Sequence, residues 1–478
     1  MTETDAHTLA TSEQAFVVAP AGCGKTELIA KAVLVSPGRS LVLTHTHAGV
    51  SALRERLGRY GVLHDRVEVQ TIAGWALKYA SAFPALSGLT NTRPSGTSWP
   101  AVYEAALSLL ERKAVRDVVR TTFSGAYVDE YQDCNLPQHS IVLAIAEFLP
   151  CRLLGDPLQA IFDFNEPTVS WQNDVAPHFE RLPDLTTPHR WAGKNPELGE
   201  WLMTIRPHLI AGETIDLRDG PLAWMTVEPA NQRQACWTAA RHTGQSVVAI
   251  AKWSETCHDF ARSMNGAFSS MEELDCKALM DFARKMDRAP GHARAVLLLD
   301  FASLCFTTIG TRLSAIKEQH AEGRPSNLAR LSTNRAIAAA LNEVASGGNS
   351  DSLIAAIREL EQSEDAIFFR RELWQEMKTS VLTFRAGGWP TLEETAWHVR
   401  DRTRRFGRKS EPRVISRTLL VKGLEFDRSV VLDVDSPRPR EALNAKEFYV
   451  AATRGSRGLT VLARESRITF GTVSNVLD

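Results

Sequence analysis

The feature that most restricts the fold is a glycine-rich turn between an apolar run and a helix start, in VVAPAGCGKTELIAKAV. The β-branched run before the turn suits a buried strand, and the residues after it suit a helix. Glycines at Gly22 and Gly24 let backbone N–H groups surround phosphate oxygens at a helix N-terminus. Lys25 can then reach the β- and γ-phosphates, and Thr26 can ligate Mg²⁺. The turn predicts a variant Walker A phosphate loop whose nucleotide contacts come from Ala21, Gly22, Cys23, Gly24, Lys25 and Thr26.

Short apolar runs alternate with helix-like segments along the chain. The runs are FVVAP, SLVLT, VEVQT, AYVDE and CRLLGD, followed later by PLAWMTV, SVVAI, RVISRTLL, SVVLDV and LTVLA. Strands separated by helices in this way predict an α/β fold with parallel sheets flanked by helices. Two further segments read as helical insertions, a short one at 82–122 and an almost wholly helical one from about residue 255 to about residue 386.

Composition restricts the environment more than the activity. The net charge of −1 gives no global attraction for nucleic acid, so any DNA contact must come from a local groove. The seven cysteines form no CxxC pair and are expected to be buried, without disulfides or zinc. No apolar run approaches the about 20 residues of a membrane span, and the polar start lacks the order of a signal peptide. We therefore expect a cytoplasmic protein.

Two adjacent carboxylates follow the apolar strand in AYVDEYQD. At the carboxyl end of a strand in an open α/β sheet, such groups meet the ligand. Asp129 is predicted to hold Mg²⁺ through water, and Glu130 to orient and deprotonate the attacking water. An acid pair alone is equally typical of a solvated loop, but together with the loop at Lys25 it favours a hydrolytic site.

Seven short segments occur in the order found in the UvrD, Rep and PcrA family of superfamily 1 helicases, which the sequence therefore resembles. They are APAGCGKT, LTHTHAGVSALRERL, VDEYQD, LLGDPLQAIFDF, TTPHRW, LVKGLEFD and YVAATRG. The resemblance implies two RecA-like P-loop domains with helical insertions, an ATP hydrolase using Mg²⁺, and 3′ to 5′ movement on DNA. The expected domains are 1–81 with 123–190 (first RecA-like), 82–122 (small insertion), 191–254 with 387–478 (second RecA-like) and 255–386 (helical insertion).

The resemblance also implies roles for single residues in nucleotide chemistry. Gln159 is expected to sense the γ-phosphate, while Arg190 and Arg454 act as arginine fingers across the cleft between the two α/β domains. Glu425 is expected to contact the ribose, and Lys422 belongs to a motif that lies between ATP and DNA. The alternative for the two arginines is a surface charge at a helix end.

The resemblance further implies a track for single-stranded DNA. Its residues are Thr44, His45, Thr46, Thr71 and Phe164. Phe164 is expected to stack on bases of any sequence, although its alternation with Phe162 also fits a half-buried strand. A basic run is expected either to follow phosphates or to form a solvated helix face. That run is Arg400, Arg402, Arg404, Arg405, Arg408 and Lys409.

Two positions depart from the family pattern around the base of the nucleotide. Only about fifteen residues precede the first strand, so Gln14 is the substitute for the glutamine that reads adenine in the family. His189 stands where relatives have a tyrosine that stacks on the base. Selectivity for ATP is therefore less firmly predicted than hydrolysis.

The compact insertions and the residues of the motifs APAGCGKTE, HRW and KGLEFD resemble those of the helicase-like subunits of anti-phage operons of the Gabija type, the GajB-like subunits. That resemblance implies an OLD-type nuclease partner and a role in defence, with DNA repair as the housekeeping alternative. A regulatory subunit that senses ATP and DNA with little unwinding is a second hypothesis, separated from a helicase by strand displacement. A P-loop kinase or transferase is a third, but it has no use for arginines at both Arg190 and Arg454.

Overall fold

The computed structural model describes residues 3–90, 99–162, 167–273, 276–347, 349–406, 411–438 and 440–474. The chain divides into two compact units, which we call unit 1 and unit 2. Unit 1 comprises Met1–Asn231 and Val421–Asp478, and unit 2 comprises Gln232–Leu420. Phe164, Arg408 and Lys409 lie outside the described residues, so the contacts with DNA predicted for them are not addressed by the structure.

The strands of the described chain are β1 (Gln14–Val18), β2 (Ser40–Thr44), β3 (Val67–Thr71), β4 (Gly125–Val128), β5 (Cys151–Gly155), β6 (Glu180–Arg181), β7 (Thr214–Asp216), β8 (Ala223–Met225), β9 (Val247–Ala251), β10 (Ser269–Ser270), β11 (Arg413–Arg417), β12 (Phe426–Val431), β13 (Gly455–Leu462) and β14 (Arg467–Thr469).

The helices are α1 (Ala6–Thr11), α2 (Lys25–Val35), α3 (His47–Arg59), α4 (Ile72–Ala82), α5 (Pro84–Ser87), α6 (Trp99–Leu110), α7 (Lys113–Thr122), α8 (Leu136–Ala146), α9 (Pro196–Ala211), α10 (Pro229–Ala240), α11 (Ser254–Ser263), α12 (Lys277–Arg288), α13 (His292–Cys305), α14 (Ile309–Arg312), α15 (Ser314–Ala321), α16 (Arg335–Ala345), α17 (Ser350–Gln362), α18 (Arg371–Ala386), α19 (Leu392–Phe406), α20 (Thr418–Val421) and α21 (Ala445–Ala452).

The first sheet of unit 1 has six parallel strands in the order β3-β2-β4-β5-β1-β6. Successive residues of a strand point to opposite faces. Phe16 and Leu41 belong to the hydrophobic cluster on one face, whereas Val17 and Val42 belong to the cluster on the other. Both faces are therefore covered, which explains why every position of β2 and of β5 is buried and why apolar residues predominate in both strands.

This strand order determines where the ends of the strands meet. The carboxyl ends of parallel strands share one edge of the sheet. Because β5 lies between β4 and β1, the residues after β5 are flanked by the acid pair after β4 and by the glycine-rich turn after β1. We call this edge the carboxyl edge and the opposite one the amino edge.

The remaining parallel strands are divided between the units. In unit 1, β13 pairs with both β12 and β8, and β7 and β14 form a small antiparallel pair. In unit 2, β11 pairs with both β9 and β10. The predicted α/β class, with parallel sheets flanked by helices, is confirmed.

Unit 2 is mostly helical, and its helices enclose a hydrophobic cluster around Phe301 and Trp374. The basic run was expected to be solvated or to follow phosphates, and this is wrong for Arg400. Its guanidinium is buried and donates to the Glu376 carboxylate and to the Glu273 carbonyl. A helix face that packs inward explains the difference, since a buried guanidinium needs acceptors inside the protein, here a carboxylate and a backbone carbonyl.

All seven cysteines are buried and free, as predicted. Among the described residues, no helix combines the length and the apolar character needed to cross a membrane.

Candidate nucleotide site

The glycine-rich turn joins β1 to α2 at the carboxyl edge. Gly22 and Gly24 both have left-handed backbone conformations, with φ of 74° and 84°. A Cβ atom on Gly22 would lie 2.5 Å from the Trp191 ring and 2.8 Å from the Cβ of Arg190. Two observations therefore require a glycine at position 22: its left-handed conformation and the close approach of the TTPHRW segment. Lys25 is the first residue of α2, so its ammonium group emerges beside the helix N-terminus.

The acid pair lies opposite this lysine. The Lys25 Nζ atom is 2.7 Å from Glu130 Oε2 and 3.5 Å from Asp129 Oδ1. Glu130 has a φ of 54°, a region that residues other than glycine rarely occupy. Such backbone conformations occur preferentially at functional sites because the surrounding structure must hold them in place.

The local electrostatics follow from burial and from these contacts. Burial would lower the pKa of Lys25, but the Glu130 and Asp129 carboxylates raise it overall. Burial would raise the pKa of Glu130, yet Lys25 and then Lys422 lower it to about 2. For Asp129, burial dominates over Lys25 and raises its pKa to about 6. Near neutral pH, the site therefore presents an ionised Glu130 beside a charged Lys25.

The GDPLQ segment after β5 connects the glycine-rich turn to the residue predicted to sense the γ-phosphate. Asp156 Oδ2 accepts hydrogen bonds from the Ala21 backbone N–H at 3.2 Å and from Gln159 Nε2 at 2.8 Å. Gln159 Oε1 accepts from Arg454 Nη2 at 3.4 Å. The structure thus brings Gln159 and Arg454 together at this edge. Asp156 was missed by sequence reasoning, although an acid after a buried strand was the signal that had identified Asp129.

The two predicted arginine fingers also lie here, in contact with protein acceptors. Arg190 Nη2 is 2.7 Å from Glu425 Oε1, and its Nη1 donates to the Thr453 carbonyl at 2.7 Å. Arg454 is buried and donates to the Leu424 carbonyl at 3.0 Å. Burial and then the neighbouring Arg190 lower the pKa of Arg454 to about 9, so its guanidinium stays cationic at neutral pH.

The two residues predicted to contact the base of the nucleotide, His189 and Gln14, lie at different places in the structure. The His189 ring packs against the turn, since a Cβ on Gly24 would lie 3.3 Å from its Cδ2. Gln14 lies at the amino end of β1, and its Nε2 donates to the carbonyls of Ala146 and Leu149 at 2.6 Å and 3.1 Å. The structure therefore does not bring Gln14 to the glycine-rich turn.

The predicted DNA-contacting residues follow β2 and β3 at the same carboxyl edge. Thr46 and Thr71 cap α3 and α4, accepting from the N–H groups of Gly49 and Gly74 at 3.0 Å and 2.9 Å. Thr44 is fully buried at the end of β2. Thr46 and Thr71 therefore serve as helix caps, whereas the buried Thr44 hydroxyl has no hydrogen-bond partner among the described residues.

His45 belongs to a polar cluster that joins the predicted DNA segment to Gln159. Its ring centroid lies 5.5 Å from that of Phe162, and the Lys422 ammonium lies 5.0 Å from the same Phe162 ring. Lys422 also donates to the Asp133 carboxylate and to the Gln159 carbonyl. Burial is the main cause of the lowered pKa of His45, so its ring is neutral at neutral pH.

One segment of the chain that contributes to the carboxyl edge matches a known protein family. Residues 98–180 match the UvrD/REP helicase N-terminal domain, a segment that contains the acid pair and Gln159. The solved structures similar to the chain include Arterivirus nonstructural protein 10 (helicase) with DNA, at 12% identity and a TM-score of 0.34 over 95% of this chain and 61% of that one. Pif1 helicase from Candida albicans is also similar, at 12% identity and a TM-score of 0.32 over 57% of this chain and 56% of that one. The chain thus covers 61% or less of the length of either protein. No curated protein is significantly similar to the chain.

Proposed function

We propose that this protein is an ATP hydrolase that couples ATP turnover to movement along single-stranded DNA, as a helicase or translocase of the superfamily 1 type. The observation that carries the proposal is the meeting of Lys25, Glu130 and Gln159 at one sheet edge. The match of residues 98–180 to a helicase domain supports the same assignment.

Each group at the carboxyl edge suits one requirement of phosphoryl transfer. Lys25 and the free N–H groups at the start of α2 would bind the β- and γ-phosphates. Glu130 is ionised and would accept the proton of the attacking water. Arg190 and Arg454 would neutralise the charge that develops on the transferred phosphoryl group.

The donor set also fits a magnesium ion that enters with the nucleotide. Asp129 and Thr26 supply hard oxygen atoms, and in NTPase sites Mg²⁺ is held by few protein oxygens together with phosphates and water. Among the described residues, no cluster of three or more His, Cys, Asp and Glu has the geometry of a closed metal site. Mg²⁺ would supply charge neutralisation between the phosphates, while the protein groups orient the water and the leaving group.

DNA would lie over the segments that follow β2 and β3, with Phe164 as the stacking aromatic and movement from 3′ to 5′. The supporting observation is the cluster of His45, Phe162 and Lys422, because it joins the start of that track directly to the Gln159 backbone. A change at His45 on DNA binding would therefore reach Gln159 through three contacts, by way of Phe162 and Lys422.

A regulatory subunit is the second candidate, and the contacts of Arg190 favour it. This guanidinium is engaged by Glu425 and by the Thr453 carbonyl, so it must change partners before it can act on a phosphoryl group. An ATPase that waits for such a change suits an ATP- and DNA-sensing subunit of an anti-phage nuclease complex, with an OLD-type nuclease as partner.

The deciding experiment measures the steady-state ATPase rate of the purified chain with and without single-stranded DNA, with Lys25→Ala as the blank. We expect hydrolysis that Lys25→Ala abolishes and that DNA stimulates. Hydrolysis that is indifferent to DNA would favour the regulatory candidate, and an equal rate in Lys25→Ala would overturn the site assignment.

A further inference from the structure

A buried ion pair lies directly behind Gln159 and has no role in the site described so far. The Arg206 guanidinium, on α9, makes two parallel hydrogen bonds to the Asp156 carboxylate, Nη1 to Oδ2 at 2.9 Å and Nη2 to Oδ1 at 2.8 Å. Asp156 is fully buried, and only 8% of Arg206 is exposed. Two charges so placed are costly to bury and stabilise a fold little compared with an apolar pair, so stability alone does not account for this pair.

Asp156 connects this arginine to two parts of the nucleotide site. Its Oδ2 atom accepts from Arg206, from the Ala21 backbone N–H in the glycine-rich turn, and from Gln159 Nε2. Its Oδ1 also accepts from the Leu158 N–H at 3.2 Å, in the short turn that carries Gln159. One carboxylate thus holds both the turn and the glutamine.

The chemistry of these atoms decides which way the Gln159 amide points. An ionised carboxylate only accepts hydrogen bonds, so the NH₂ group of the amide must face Asp156. The amide oxygen is then directed away from Asp156, where it accepts from Arg454 Nη2. If Asp156 lost its orientation, the opposite amide orientation would become available, and an NH₂ group would then face the Arg454 guanidinium, which also only donates.

Arg206 also reaches the helix that precedes the second arginine finger. Its guanidinium lies 4.9 Å from the centroid of the Tyr449 ring on α21, and Arg454 follows the end of that helix. Arg206 is therefore placed between the carboxylate that holds Gln159 and the helix that leads to Arg454.

We propose that Arg206 is a positioning residue for ATP hydrolysis, which through Asp156 fixes the amide of Gln159 and the backbone of the glycine-rich turn at Ala21. The proposal rests on the proposed function, since it requires Gln159 and Arg454 to act together on bound ATP. It assigns Arg206 no contact with nucleotide.

The test compares Arg206→Met and Arg206→Lys with a matched control, Arg152→Met. Arg152 is also a buried arginine of unit 1 and lies 5.4 Å from a tyrosine ring, that of Tyr127, but it donates to the carbonyls of Ala10 and Ser12 at the amino edge. For each variant, kcat and KM for ATP are measured, together with the affinities for Mg²⁺–ADP and for a non-hydrolysable ATP analogue and the urea midpoint of unfolding.

We expect Arg206→Met to lower kcat by about 100-fold, as misplacement of a reacting group by about 1 Å does, with a small change in KM. Affinities for the ATP analogue and for ADP should both stay near their wild-type values, because Arg206 touches no nucleotide and the groups that it positions act in the transition state. Arg206→Lys should recover part of kcat, because lysine keeps the charge but lacks the two-pronged geometry. Arg152→Met should lower the urea midpoint and leave kcat and the ratio of the two affinities unchanged.

An unchanged kcat in both Arg206 variants, or equal losses of ADP and analogue affinity, would overturn the proposal. So would a kcat loss in Arg152→Met as large as that in Arg206→Met, because the effect would then be one of general stability. If Arg206→Met does not fold, Arg206→Lys carries the same test. A wild-type chain that neither binds nor hydrolyses ATP would overturn the proposed function and this inference together, whereas an active wild type with indifferent Arg206 variants overturns only the inference.

Discussion

The two edges of the first sheet hold their buried polar groups in different ways. At the amino edge, Arg152 and Gln14 donate to the backbone carbonyls of Ala10, Ser12, Ala146 and Leu149, and the partly exposed Arg39 pairs with Glu68. At the carboxyl edge, the cationic side chains other than Arg454 face carboxylates instead. The pairs are Lys25 with Asp129 and Glu130, Arg206 with Asp156, Lys422 with Asp133, and Arg190 with Glu425.

The difference shows that burial alone does not require carboxylates. Backbone carbonyls satisfy Arg152 without adding a second charge to be desolvated, whereas an ion pair adds one and often stabilises a fold little. Charges collected at one edge, on residues after four adjacent strands, are better explained by a charged ligand than by folding. Substitutions at the carboxyl edge should therefore change catalysis, and those at the amino edge should change stability.

The largest effect is expected for Glu130→Gln. Glutamine keeps the size and one acceptor oxygen but cannot take a proton from water, so we expect kcat to fall by about 10,000-fold, the upper end of what a general base contributes. Steady-state and single-turnover ATPase rates measure the loss.

Glu68→Gln is the matched control for that substitution. Glu68 lies in the same sheet and also pairs with a lysine, since its Oε1 is 2.5 Å from Lys78 Nζ, but it belongs to the interior of β3. Its substitution should leave kcat unchanged. Ordinary turnover in Glu130→Gln would contradict the role of the acid pair.

A smaller loss is expected for Arg454→Ala. The guanidinium would act on charge that develops in the transition state, so kcat should fall by about 100- to 1,000-fold, as for loss of one such donor, while nucleotide affinity stays nearly intact. Arg457→Ala is the control. Arg457 is three positions further along the chain, and its Nε donates a hydrogen bond to Asp427 Oδ1 at 2.9 Å. Weaker nucleotide binding with unchanged turnover in Arg454→Ala would exclude a finger role.

The parts predictable from sequence are those encoded locally. The α/β class follows from apolar runs spaced by helices, and the glycine-rich turn follows from consecutive residues whose conformation and chemistry are linked. The pair of Arg206 and Asp156 was not predictable, because 50 positions separate its members. Arg206 also lies among the buried positions of α9, next to Ile205, where no local pattern calls for a charge.

Gln14 shows the opposite difficulty, a residue close to the glycine-rich turn in sequence and distant from it in space. A strand rises about 3.3 Å per residue, so the length of β1 separates its first residue from the turn at its other end. Its side chain also accepts from the Cys151 N–H at 3.2 Å, which leaves the amide fully engaged at the amino edge.

The smallest effect on catalysis is therefore expected for Gln14→Ala. The substitution removes hydrogen bonds to partly buried backbone groups, so the free energy of unfolding should fall by about 1–3 kcal/mol, measured by urea denaturation. The ratio of kcat/KM for ATP to that for GTP should stay at its wild-type value, because the side chain is at the edge away from the nucleotide. A change in that ratio at unchanged stability would mean that Gln14 reads the base after all, and the contrast between the two edges would then fail at the residue where it is most easily tested.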